Sequence, residues 1–356
     1  MRNMARFGWG AGLAMLTALI LSGCGGGGDK SAATSYSSLV SFGDSLSDVG
    51  TYKVDKVALL GGGKYTVNSA TDKNWTELLA AQLGLPAPCA AQTGLNGSYF
   101  NAAVTNHDAC LNYAQGGSRV TNPIGPGNAY IPDSAALGQL TVPIATQISN
   151  HLTKVGGSFT GNELVTVMAG GNDVFMNLGA VGIGQIQPAD AVTAMGTAAV
   201  ELSTYIKTYL TGKNAKKVLV LNIPDIKGTP FGQSQSPATQ GLIDLMVSTF
   251  NAQLKSGLQG TPGVLLIDAY AASKDEVVNP SQYGLSNVTG TACRLSYPNP
   301  DPQVNPLNSS LVCNATNVVA GDVSHYLFAD TVHPTPYGYQ LMSQLVFKEL
   351  VLAKWY

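Results

Sequence analysis

The chain is short of charge. Of its 356 residues only 19 are Lys or Arg and 21 Asp or Glu, 11% in all, against about 25% in an average soluble domain. With a net charge of −2 and no basic block, it lacks the clustered Lys and Arg that a nucleic-acid-binding surface requires. Disorder is excluded from the other side: 45% of residues are apolar, whereas disordered chains are poor in apolar residues and rich in net charge. Beyond the N-terminal segment no apolar run approaches the roughly 20 residues of a transmembrane helix. There is no C-x-x-C, and of the four histidines only His107 lies near a cysteine, so the usual zinc spacings are missing. No serine stands in G-x-S-x-G, the nucleophile elbow of the α/β-hydrolases. Ser45 has Gly43 before it but Ser47 in the last place.

At the N-terminus Arg2 and Arg6 precede an apolar stretch from Ala11 to Leu21, too short to span a bilayer. It ends in Leu21-Ser22-Gly23-Cys24. This pattern resembles a bacterial lipoprotein signal, in which the chain is cut before a lipidated cysteine. The resemblance implies a signal peptide over residues 1–23, an anchor at Cys24 and an exported lipoprotein. With Gly25 and Gly26 rather than an aspartate after Cys24, it implies the outer membrane, facing the periplasm or the surface. Gly25 to Gly28 and the small polar residues up to Ser38 read as a flexible tether, so residues 24–38 form a linker and 39–356 the globular domain. Setting Cys24 aside leaves Cys89, Cys110, Cys293 and Cys313, an even set suited to disulfides in an oxidising compartment.

Short aliphatic segments suit strands covered on both faces: Leu39 to Phe42, Leu164 to Met168, Val218 to Ile223 and Val264 to Ile267. A weaker fifth candidate spans Leu111 to Ala114. Helical periodicity falls between them. Ala191, Met195, Ala198, Leu202, Ile206 and Leu210 share one helical face, as do Leu242, Leu245, Met246, Phe250, Leu254 and Leu258. Shorter helices are predicted over Trp75 to Leu83 and Val142 to Val155, and a last one from Tyr337 to Lys354. Strand and helix in alternation imply a three-layer α/β/α sandwich with a mainly parallel five-stranded sheet. Residues 84–140 and 280–325 break the rhythm, rich in Gly, Pro, Asn and Ser. Each holds one cysteine pair, and pairing within each would close the loop, although four cysteines permit three arrangements.

The residue types able to carry chemistry gather at strand ends. Ser45, in Gly43-Asp44-Ser45-Leu46-Ser47-Asp48, follows the first strand directly, at the sheet edge where α/β proteins bind ligands. A serine nucleophile needs a base, and an imidazole base needs an acceptor to fix its tautomer. Asp330 and His333, in Asp330-Thr331-Val332-His333-Pro334, can supply both from one loop. Asp322 and His325 repeat the same spacing, and spacing alone does not choose between the pairs. Position before the final helix favours His333. Asn172, in Ala169-Gly170-Gly171-Asn172-Asp173, offers an amide toward a developing oxyanion. Asn112 to Ser118 can present a glycine N–H. The bland readings are an N-cap serine, plain turns, a solvent-facing His151 and a surface salt bridge at Arg119.

In this order the four blocks resemble the GDSL family of the SGNH hydrolases, over Leu39 to Lys354. Their wording is most similar to the bacterial branch of secreted lipases, esterases and phospholipases. The resemblance implies a flavodoxin-like fold, a Ser45 nucleophile, a His333 base and an Asp330 acid. It also implies an oxyanion hole from the N–H groups of Ser45 and Gly117 and the Asn172 amide. The expected activity is carboxylic ester hydrolysis on a lipid, phospholipid, acylated sugar or polyester, by a monomer without metal or organic cofactor. An acyltransferase using the same site and a non-catalytic binding lipoprotein are the alternatives.

Overall fold

In a strand, successive side chains point to opposite faces, so a run of aliphatic residues furnishes two buried surfaces at once. The computed structural model describes residues 35–296, 301 and 304–356. The expectations for the leader, Cys24 and the tether up to residue 34 lie outside the described residues. The first half contains β1 (Ser38–Gly43), α1 (Asp55–Leu59), α2 (Trp75–Gln82), β2 (Gln92–Asn96), β3 (Asn101–Asn106), α3 (Ile144–Lys154) and β4 (Glu163–Met168). Then come α4 (Gly171–Gly182), α5 (Pro188–Tyr205), β5 (Lys217–Leu221), α6 (Pro230–Gln233), α7 (Pro237–Leu258) and β6 (Val264–Ile267). The chain ends with α8 (Ala269–Val278), β7 (Asn287–Thr291), β8 (Tyr326–Phe328) and α9 (Pro336–Leu352). Among the described residues no helix is long and apolar enough to cross a membrane.

The central sheet runs β1-β4-β5-β6, and every pairing is parallel. Val40, Phe42, Val165, Val167, Val218 and Val220 face one core, with buried residues of α3, α5 and α7. Leu39, Leu164, Met168, Leu219 and Leu221 face the other, with Trp75 and Leu79 of α2 and Tyr339, Val346 and Leu350 of α9. The result is the expected three-layer sandwich. Helix starts follow local chemistry. Asn74 and Glu77 close a capping box on α2, Ser236 caps α7 ahead of Pro237, and Thr335 caps α9 ahead of Pro336.

The sheet has four strands rather than five. Residues 111–115 still run beside β1: Ser41 N–H donates to the Leu111 carbonyl (3.0 Å), and Tyr113 and Gln115 N–H to those of Ser41 (2.8 Å) and Gly43 (3.1 Å). On the outer side Asn112 Oδ1 takes the Ala114 N–H (3.1 Å). On the β1 side the next rung is missing because the Gly43 N–H goes to Gln147 Oε1 (2.9 Å), and the pairing reduces to isolated bridges of Asn112 with Ser41 and Ala90. Counting this edge segment second, the spatial order is 2-1-3-4-5. In that topology the chain reverses direction across the sheet between its first and third members, which opens a crevice at their C-terminal ends. Here those members are β1 and β4.

Besides the short α1 and α6, two longer helices were not expected. α4 starts inside the Gly-Gly-Asn-Asp segment that reads as a turn, and α8 has mostly small residues followed by the charged run Lys274 to Glu276, with no apolar stripe. Leu245, expected on the buried face of α7, is 53% exposed. Each long irregular segment is closed by its own disulfide, Cys89–Cys110 and Cys293–Cys313. The first carries the antiparallel hairpin β2–β3, and the second lies between β7 and β8, which pair with each other.

Candidate active site

Ser45 stands just beyond β1, where the chain turns through Gly43. A Cβ there would lie 3.0 Å from the Ser47 Cβ and 3.1 Å from the Met168 carbonyl oxygen, too close for comfort on a backbone that must hold its neighbours in place. Gln147 of α3 grips the turn. Its Oε1 accepts the Gly43 N–H and its Nε2 donates to the Gly43 carbonyl, both at 2.9 Å.

Asp330 and His333 lie on the loop after β8, and Asp330 itself folds that loop. Its Oδ1 accepts the backbone N–H groups of Val332 (3.0 Å) and His333 (2.8 Å), while the Ala329 N–H donates to the His333 carbonyl (2.7 Å). The same carboxylate meets His333 Nδ1 at 2.9 and 2.8 Å, and its Oδ2 accepts the Ser310 N–H at 2.8 Å. Burial pushes the Asp330 carboxyl up, but the His333 charge and the donated hydrogen bonds outweigh it and hold the group well below the usual carboxylate range. An ionised carboxylate can only accept, so Nδ1 carries a hydrogen, and whenever the ring is neutral its lone pair is on Nε2. Nε2 lies 2.8 Å from Ser45 Oγ. The Tyr65 ring backs the imidazole, with centroids 4.7 Å apart.

Asn172 occupies the first turn of α4, after Gly170 at φ 106°. A Cβ on Gly170 would come within 2.6 Å of the Phe250 ring, so this entry to α4 requires glycine. The Asn172 Nδ2 donates to the Ser118 carbonyl at 2.8 Å; an amide has a second hydrogen, which this bond leaves over. Gly117 has φ 80°, and a Cβ there would lie 2.2 Å from the Pro126 carbonyl oxygen. The preceding residue is pinned at both its ends: the Gly116 N–H donates to Asp48 Oδ2 (3.0 Å), and the Gly116 carbonyl accepts from the Tyr52 hydroxyl (2.7 Å). Because a trans peptide sets C=O and N–H opposite, the Gly117 N–H points away from Tyr52.

Ser45, Asn172 and His333 line one cleft, together with Leu46, Phe175, Ile226, Leu327, Phe328 and Met342 among others. Gly117 is not part of that lining. One face of α8, comprising Ala269, Ala272, Ser273, Glu276 and Val277, forms a wall. Burial pushes the Glu276 carboxyl up to about 7, with the neighbouring Asp275 adding to the effect. Asp44, whose Oδ1 accepts the Leu46 N–H, is likewise pushed up by burial to about 6. No Lys or Arg is among the described lining residues.

The structure brings Ser45, His333 and Asp330 together and leaves the second D-x-x-H pair apart. His325 Nδ1 faces the Gly284 carbonyl at 2.9 Å, its ring stacks on Tyr337 at 4.4 Å, and Asp322 accepts the Ser324 N–H. Arg119 makes a largely buried ion pair with Asp173 (2.9 Å) rather than a surface one. His107 faces the Thr93 hydroxyl at 2.8 Å. His151 does not face solvent. It is 2% exposed among Phe42, Tyr113 and Phe159, and burial, helped by Lys154, lowers its pKa to about 4. Tyr65, Gln147 and Ser310 touch the central residues, yet nothing in their local sequence marks them. Asp48, fully buried and accepting the N–H groups of Gly50, Thr51 and Gly116, has a signal only in its place in the Ser45 block.

The profile of the GDSL-like Lipase/Acylhydrolase family matches residues 39–346. A GDSL esterase/lipase of Arabidopsis thaliana (At5g55050) is 26% identical over 333 residues, covering 83% of this chain and 81% of that protein. Esterase EstA of Pseudomonas aeruginosa is 28% identical over 354 residues, covering 92% of this chain and 48% of that protein. Among solved structures, phospholipase A1 from Streptomyces albidoflavus aligns with a TM-score of 0.44 at 15% identity, over 88% of this chain and 99% of that one.

Proposed function

The chain belongs to the GDSL-like lipase/acylhydrolase family, an ester-hydrolase family, and we propose that it cleaves carboxylic esters through an acyl-enzyme formed on Ser45. The observation that carries this reading is the hydrogen-bonded relay Ser45 Oγ–His333 Nε2–His333 Nδ1–Asp330, open at Ser45 to a mainly apolar cleft. His333 takes the hydroxyl proton as Oγ attacks the ester carbonyl, and Asp330 stabilises the resulting imidazolium. The negative charge on the carbonyl oxygen is met by the N–H groups of Ser45 and Gly117 and by the free hydrogen of Asn172 Nδ2. His333 then protonates the departing alcohol, and water repeats the sequence on the acyl-enzyme, restoring Ser45.

The apolar lining suits an alkyl acyl chain, and carboxyls without a lining Lys or Arg disfavour a substrate bearing its own negative charge there. In this reading residues 39–356 form the hydrolase domain and 24–38 a tether from a lipidated Cys24. The protein then works at the outer membrane as an exported lipoprotein. A panel of p-nitrophenyl esters from acetate to palmitate tests the chemistry. The expected result is turnover by the wild type and a loss of about three orders of magnitude or more in kcat for Ser45→Ala and His333→Ala. Unchanged turnover by Ser45→Ala rules the reading out.

A further inference from the structure

Two supports reach the relay from outside it. The Tyr65 ring lies against His333, and the Ser310 N–H holds the Asp330 oxygen that the Val332 and His333 N–H groups do not take. Tyr65 and Ser310 are far apart in sequence and do not belong to one strand or helix. One buried side chain links them.

Asn68 Nδ2 faces four backbone carbonyl oxygens, those of Lys64 (2.9 Å), Thr66 (3.0 Å), Ser310 (3.0 Å) and Cys313 (3.0 Å). Its Oδ1 accepts the Lys64 N–H at 2.9 Å, and its own N–H donates to the Cys313 carbonyl at 2.7 Å. The first two carbonyls bracket Tyr65, whose own carbonyl accepts from the Tyr339 hydroxyl at 3.1 Å. The other two belong to the turn that Cys313 N–H closes on the Ser310 carbonyl (3.1 Å). Cys313 is bonded to Cys293, whose N–H donates to the carbonyl of Ala329, the residue before Asp330 (2.8 Å). A closed circuit thus runs from Tyr65, whose ring backs His333, through Asn68 to Ser310, whose N–H holds Asp330. We propose that Asn68 is a positioning residue for the relay, setting the Asp330–His333 geometry through Ser310 on one side and Tyr65 on the other without touching either relay member.

This inference rests on the proposed ester-hydrolase reading. An amide is required at this position because only an amide supplies two hydrogens to carbonyls and an acceptor to an N–H from one short side chain. A carboxylate would set negative charge against four carbonyl dipoles, and alanine would leave the carbonyls without donors.

The test measures Asn68→Ala on p-nitrophenyl acetate, with active sites counted by a fluorophosphonate. A loosened Asp330 stabilises the imidazolium less, so the acid limb of the kcat/KM profile should move to lower pH, by about half a unit or more. Per active site, kcat should fall about 10- to 100-fold with KM changed less than threefold. Asp44, the other carboxyl facing His333, is left in place by the substitution.

Ser310→Pro provides a second route should Asn68→Ala fail to fold. Ser310 opens a short 3-10 turn after an extended Ser309, which suits the backbone angle of proline; the change deletes the N–H given to Asp330 and sets the ring Cδ against its Oδ2, displacing the carboxylate. It should move the same limb in the same direction. A cooperative melt with wild-type kcat and an unmoved limb in either folded variant overturns the inference alone. Wild-type enzyme that neither labels nor turns over ester overturns the function reading and this inference with it.

Discussion

The two disulfide-closed loops are near twins in span, with separations of 21 and 20 residues, and unlike in their surroundings. Cys89–Cys110 closes a segment whose β3 strand is mostly exposed, and its nearest ties are the edge segment at Asn112 and the Lys154 ammonium on the Cys110 carbonyl (2.9 Å). Cys293–Cys313 is fully buried, and its two ends flank Asp330 through Ala329 and Ser310. Chain entropy treats the loops alike, at about 3 kcal/mol each. What separates them is the neighbour each one holds. On the proposed reading, a cross-link beside the relay should act on chemistry, and one at the sheet edge on folding alone.

The largest expected effect makes that difference measurable. Replacing Cys293 and Cys313 by serine should lower kcat on p-nitrophenyl acetate about 10- to 100-fold per active site. The Cys89/Cys110 double replacement should leave it within about twofold, with similar falls in Tm for both. In an Asp330→Asn background, itself about 10²- to 10⁴-fold slower, the first pair should add little, because both changes remove the same support. Additive losses would show that the disulfide acts elsewhere.

Of intermediate size is an effect that belongs to neither loop. Glu276 lies on the α8 wall, and its carboxyl, raised by burial to about 7, gains charge as pH rises through that value. A charged wall disfavours alkyl chains. The wild-type ratio of palmitate to acetate turnover should therefore fall severalfold from pH 6 to pH 8, and Glu276→Leu should abolish the fall. Should the Cys293/Cys313 replacement also shift this ratio, the relay and the selectivity wall are not separate.

The smallest effect lies on the Cys89–Cys110 side. His151 packs on Tyr113 one helical turn from Lys154. Its folded pKa of about 4 lies below the ordinary value of about 6.5. The unfolded chain therefore binds the proton first, and stability is lost as pH falls from about 6.5 toward 4. His151→Phe should reduce that loss by roughly 1–3 kcal/mol, read from urea midpoints at pH 7 and pH 4.5, without altering kcat. A change in kcat would place this side of the molecule in the chemistry and dissolve the contrast between the loops.

Sequence made the sheet and both ends of the relay legible, since aliphatic strands and the blocks around Ser45, Asn172 and His333 are local patterns. The supports were not legible, for a physical reason. Asn68 meets Ser310 across 242 residues and Gln147 meets Gly43 across 104, and each does so through an amide that looks like any turn or helix residue. The choice between His325 and His333 was open on spacing, and position before the final helix made it for His333. α8 escaped notice because it presents small residues and Glu276 to a cleft, so no apolar stripe records its face. The edge segment at 111–115 fell short of a strand through one distant side chain, Gln147, whose oxygen takes the Gly43 N–H that would have extended the ladder.

The central claim is that Ser45 is the nucleophile and His333 its base. Incubating the protein with a fluorophosphonate and mapping the adduct by peptide mass spectrometry tests it directly. The account predicts a single adduct on Ser45, none in Ser45→Ala, and labelling slowed at least 100-fold in His333→Ala. Ester turnover by the wild type with the adduct on another residue, or with no adduct at all, would contradict it.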